Sequence, residues 1–131
     1  MDNIKELLLK YSCIVVKEDK TFTYSESGIL PLLIQLDENG GLSNAYVADR
    51  VIGKAAALLM VYGGVREVYT RVISKYAKDV FVTHEIKYEA DLEVSYIENR
   101  AGDGQCPMER LCLNLLNPDE AYKTLKQAVV R

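Results

Sequence analysis

The sequence predicts an α/β protein: a three-layer α-β-α sandwich with a mixed sheet of about five strands. Three observations carry that expectation. β-Branched stretches such as Cys13-Ile14-Val15-Val16 and Glu67-Val68-Tyr69-Thr70-Arg71-Val72 alternate along the chain with segments of helical spacing. The first two strands read as a hairpin, which makes at least one pair antiparallel. Between Lys54 and Arg66 no residue is charged, and a helix that is apolar all round is a buried one.

Taken in order, Ile4, Leu7, Leu8 and Tyr11 recur at helical spacing opposite Lys5, Glu6 and Lys10, an amphipathic helix. Glu18-Asp19-Lys20 turns the hairpin, and Thr21 to Tyr24 is the return strand. The loop Ser25 to Gly28 is expected to cap a helix over 29–36, with Pro31 tolerated in its first turn. Ala45 to Ala48 reads as a short buried strand, Asp49 as an N-cap, and 50–62 as the buried helix that Gly63-Gly64 stops. Ser74 caps a short helix to about Val80. Residues 81–97 fit strand or helix, with a strand suggested near Ile86-Lys87-Tyr88. Two helices close the chain, from Pro107 and Pro118. The last has Asn117 as cap, Asp119 and Glu120 in its first turn, and Lys123, Lys126 and Arg131 after, an order that suits the helix dipole.

The chain has 131 residues, which predicts one domain over 1–131 that folds without a disulfide or metal staple. A net charge of −3 argues against a nucleic-acid binder, which needs a strongly basic face. The apolar run Ala55 to Val65 is too short to span a bilayer, so no membrane partner is expected. The polar opening Met1-Asp2-Asn3 does not resemble a signal peptide. Three irregularly spaced cysteines, Cys13, Cys106 and Cys112, do not form a disulfide framework. Together these predict a cytoplasmic location.

Two constellations can carry chemistry. In the first, Asp49-Arg50-Val51-Ile52-Gly53-Lys54 marks a strand running into a buried helix. Free N–H groups and the dipole make that helix start positive, and Gly53 permits close approach to its backbone. Arg50 and Lys54, four apart, would then face one side and meet a phosphate or carboxylate. From pattern alone the simpler account is a capping Asp49, a packing Gly53 and two solvated cations. The second is Asn99-Arg100-Ala101-Gly102-Asp103-Gly104-Gln105-Cys106-Pro107-Met108-Glu109, a glycine loop entering a helix. Cys106 at the helix start would have a thiol of lowered pKa, with Glu109 three residues on. Equally, Glu109 bonds back to its own helix as in a capping box and Cys106 is inert. His84, the one histidine, reads as a surface residue near a turn, and Cys13 and Cys112 as small core hydrophobes.

The motifs Glu26-Ser27-Gly28 with Pro31-Leu32-Leu33, Asp49-Arg50-Val51-Ile52-Gly53-Lys54-Ala55-Ala56-Ala57-Leu58-Leu59, Tyr62-Gly63-Gly64 and Cys106-Pro107-Met108-Glu109 resemble a family of small prokaryotic proteins of unknown function with a cytidine-deaminase-like fold. The resemblance runs from about Leu8 to Glu109 and implies that fold. Active members of the wider superfamily hold zinc with H-x-E at one helix start and P-C-x-x-C at the next. Here Asp49-Arg50-Val51 stands in the first place, with aspartate for the histidine ligand and valine for the proton-moving acid. The next junction, Val72-Ile73-Ser74-Lys75, has no cysteine. Cys106-Pro107 arrives one strand late, although its loop can fold over the same pocket.

The resemblance therefore implies neither a zinc site nor a working zinc deaminase. The first expectation is a pocket binding a nucleotide or other small phosphate-bearing molecule, lined by Asp49, Arg50, Gly53, Lys54, Ser74, Asn99, Arg100 and Cys106. A second is an enzyme with Cys106 as nucleophile and Glu109 or Asp49 as acid/base. A third is a non-catalytic interaction module whose apolar helices pack against a copy of itself, as a homodimer.

Overall fold

The computed structural model describes residues 2–129. Arg131, expected to favour the dipole of the last helix, lies outside them. The order is α1 (Asp2–Leu7), β1 (Cys13–Lys17), β2 (Lys20–Tyr24), α2 (Leu30–Glu38), β3 (Tyr46–Ile52), α3 (Lys54–Gly63), β4 (Glu67–Ser74), α4 (Lys75–Thr83), β5 (Lys87–Val94), α5 (Pro107–Leu111) and α6 (Pro118–Ala128). The strands form a five-stranded sheet in the order β2-β1-β3-β4-β5. The pairs β1–β2 and β1–β3 are antiparallel, while β3–β4 and β4–β5 are parallel. The two crossovers β3-α3-β4 and β4-α4-β5 make the parallel half, as the alternating pattern of the sequence implies.

Helices lie on both faces, unevenly. On one face α1 sets Ile4 and Leu7 against Leu8, Ile14, Ala48 and Tyr69. On the other, α2 to α6 build the main core around Leu32, Leu33, Leu58, Leu59, Phe81 and Leu125. Helix α3 has sheet on one side and α2, α4 and α6 around it, so Lys54 through Met60 are all buried. Its last turn emerges: Tyr62 is 39% exposed and stacks on Tyr122 of α6, the ring centroids 4.3 Å apart. Gly64 ends α3 in the left-handed conformation, φ 80°. A Cβ on Gly63 would come within 2.6 Å of Leu42 Cβ, so the glycine pair both stops the helix and lets the 42–45 turn close against it.

Several boundaries differ from expectation. Strand β3 continues through Ile52, so Asp49 and Arg50 belong to the sheet and the N-cap of α3 is Gly53. The Ser25–Gly28 loop supplies no side-chain cap to α2, whose N-cap is Ile29. The uncertain stretch divides cleanly: 81–83 finish α4, His84 is its C-cap, and β5 follows as an edge strand. Ser74 and Asn117 cap α4 and α6 with their side chains as expected.

Candidate functional site

The C-terminal ends of β3 and β4 open onto the starts of α3 and α4, and a carboxylate sits there. It is that of Glu109, only 1% exposed. Its Oε2 accepts from the backbone N–H of Lys54 at 2.7 Å and from the Ser74 hydroxyl at 2.5 Å. Its Oε1 accepts from the Ile97 N–H at 2.8 Å and from the Gln105 amide at 3.2 Å. Ser74 Oγ in turn accepts from the Ala77 N–H, so one hydroxyl joins the carboxylate to the first turn of α4. Glu109 thus takes a free donor of α3 and none of its own helix, contrary to the capping-box reading.

Gly53 makes this approach possible. A Cβ there would meet Glu109 Oε2 at 2.9 Å and Ile97 Cγ1 at 3.0 Å. The sequence points to close approach at Gly53, and the group that approaches is part of the same chain.

Other expected residues are distributed differently. Lys54 gives its backbone N–H to the site, but its ammonium turns away to the Leu113 carbonyl, 2.7 Å distant. That side chain is 6% exposed at the floor of a shallow groove of about 280 Å³, with Leu58, Tyr76, Val80 and His84 around it. Burial lowers its pKa, with Cys112, Glu109 and Asp79 opposing. Arg50 leaves by the opposite face of the sheet, its Nε bonded to the Leu8 carbonyl at 2.8 Å. Arg50 and Lys54 therefore do not share a helix face, because a strand separates them.

The expected loop residues Asn99 and Arg100 do not reach the carboxylate. Asn99 braces its own loop through Asp103 and Gly104. Arg100 donates to the Ser27 hydroxyl at 3.1 Å, tying that loop to the entrance of α2. Cys106 is half-buried and heads α5, only five residues long, with no side-chain cap bond. So short a helix carries few aligned peptide dipoles. Cys13 and Cys112 are buried; burial raises both thiols, Cys112 to about 11. Among the described residues no three His, Cys, Asp or Glu side chains group as metal ligands.

Asp49 is 7% exposed and pairs laterally with Cys13 and Thr70 on the neighbouring strands. Burial pushes its carboxyl from 3.8 up to about 8, against the opposing pull of the Arg50 and Val51 N–H groups and the Arg50 charge. The unfolded chain releases this proton near 3.8, whereas the folded chain keeps it until about 8. Asp49 therefore contributes stability that is complete below about 4 and is lost as pH rises through about 8. Urea unfolding across that range should show the wild type weakening relative to Asp49→Asn. Parallel pH profiles for the two proteins would refute the shift.

Sequence reasoning missed Gln105 and the Ile97 amide. Only the four-residue spacing of Gln105 and Glu109 signalled the first, and nothing local signalled the second. With this geometry in place, residues 4–129 match a family described as a domain of unknown function, DUF1893. The chain belongs to the DUF1893 family. The crystal structure of a DUF1893 family protein, TM1506 from Thermotoga maritima, is similar, with a TM-score of 0.88 over 98% of this chain and 88% of that one. The two are 22% identical, so this likeness speaks to the DUF1893 fold alone. A search of curated proteins found no match.

Proposed function

We propose that this DUF1893 protein has a cytidine-deaminase-like fold and serves as a binding domain for a small phosphate-bearing ligand, a nucleotide first, with Glu109 as its resident competitor. One observation carries the reading. The β3–α3 and β4–α4 junctions supply converging donors, from Lys54 N–H and Ser74 Oγ–H beside the cradle of Gly53, and these already hold one anion out of water. A phosphate or carboxylate entering with Glu109 withdrawn would meet the same donors. Asp49-Arg50-Val51 lies within β3, and the start of α3, Gly53-Lys54-Ala55, carries neither the histidine nor the glutamate of the zinc enzymes, which supports binding without deamination. Arg50 has no part in this pocket. Asn99, Arg100 and Cys106 belong to the segment that must move to open it.

A second reading, a non-catalytic interaction module, is favoured by the completeness of Glu109's bonds, which leave the pocket sealed. A thermal-shift panel of nucleotides and inorganic phosphate separates the two. Binding predicts a raised Tm, of about 2.7 kcal/mol in stability when ligand exceeds Kd a hundredfold. Arg50→Ala should keep the shift and Gly53→Ala should lose it. No shift with any of them at millimolar concentration leaves the interaction module as the function.

A further inference from the structure

The short α1 leaves part of its sheet face bare. Across β3, β4 and β5 the register places Val51, Val72 and Leu92 side by side. None of the three belongs to either buried cluster among the described residues. Val51 is 43% exposed and Leu92 56%, so this row is wet. The ladder skips Arg50, Arg71 and Asp91, and the alternation of side chains shifts by one there. Val47 and Val68 before it and Ile52 and Ile73 after it all enter the main core, which leaves Val51, Val72 and Leu92 on the α1 side. On the other side Ile52 and Ile73 enter the main core and Glu93 meets Lys78 of α4. Toward α1, Arg50 holds the Leu8 carbonyl and Asp91 accepts from Tyr69. Leu9, next in the chain to that carbonyl, is 71% exposed. Alongside runs a charged row, Arg50, Arg71 and Asp91, positive at the β3 end and negative at the β5 end.

We infer that this face is the interface of a homodimer in which two copies pack sheet against sheet. Its charge order selects the occupant. A two-fold axis along the strands through Val72 turns the second copy end for end. Val51 then lies over the partner's Leu92, Val72 over the partner's Val72, and Arg50 over the partner's Asp91, each relation occurring twice about the axis. Arg71 meets the partner's Arg71 at the axis, and each lies between the pairs Thr70–Ala90 and Val72–Leu92, as does Asp91 of its own chain. Glu89 on this face is already paired with Lys5, which leaves the Arg50–Arg71–Asp91 row to set the charge order. Another copy of the chain satisfies both ends of the row at once. Sheets packed in this way lie about 10 Å apart, within reach of these side chains.

Sedimentation equilibrium on the full chain tests the inference. The wild type should dimerise. Leu92→Lys, Arg50→Glu and Asp91→Arg should each weaken the dimer by about tenfold or more, and Arg50→Glu with Asp91→Arg should restore it. These positions are exposed, so circular dichroism melts should stay cooperative. Leu116→Lys, at an 81% exposed leucine away from the sheet, should leave the dimer intact. A wild type monomeric at millimolar concentration overturns the inference. So does a dimer that the single substitutions leave unchanged, or one that Leu116→Lys breaks while Leu92→Lys does not.

Discussion

Glu109→Ala should lower stability by about 2–4 kcal/mol, the cost of stranding buried donors. The variant leaves the Lys54 and Ile97 amides, the Ser74 hydroxyl and the Gln105 amide facing a vacated space. Part of that loss should be recoverable from solution: acetate or formate, present at high concentration during urea unfolding, should restabilise Glu109→Ala and leave the wild type unchanged. Gly53→Ala should also destabilise the wild type, since its methyl would press on Glu109 Oε2. In the Glu109→Ala background much of that penalty should vanish, because the obstructing oxygen is gone. Additive losses, or a Glu109→Ala protein as stable as wild type, would mean that the carboxylate does not hold these helix starts together.

Ala56→Asp should abolish soluble expression. Ala56 is 5% exposed in a helix enclosed by the sheet, α2, α4 and α6, among methyl and isobutyl groups. A carboxylate there would be packed among apolar side chains with almost no access to water. The first-turn N–H groups of α3 offset only part of a penalty of several kcal/mol, against a total stability of about 5–15 kcal/mol. Ala56→Gly changes only helix propensity and a methyl contact, and should still give folded protein of lower Tm. Normal yield and an unchanged melting temperature for Ala56→Asp would contradict the placement of α3.

What could be read from the sequence was decided by chemistry within a few residues. Asn117-Pro118-Asp119-Glu120 specifies a helix start by itself, and α6 begins there. The uncharged run after Lys54 names a buried helix without saying what buries it. Asp49 misled for a physical reason. An aspartate after an apolar strand is a good cap, and only its lateral neighbours Cys13 and Thr70, distant in sequence, keep it in the sheet. β5 escaped because it is an edge strand whose charged residues find their partners, Lys5, Tyr69 and Lys78, on three other segments and on both faces of the sheet. The site divides the same way. Gly53, Ser74 and Glu109 were each legible as special. That they share one carboxylate was not, since Glu109 reaches Lys54 across 55 residues.

That span also fixes an order of assembly during synthesis. When a ribosome has released the sheet through β5, α3 and α4 can already pack their apolar faces, yet the donors at their starts remain hydrated. They dry only after residue 109 has emerged and the 95–106 connection has folded back. A nascent chain stopped before α5 should therefore hold a native-like sheet with α3 unsealed at its first turn. The closing contact belongs to a stretch that appears only after the whole sheet.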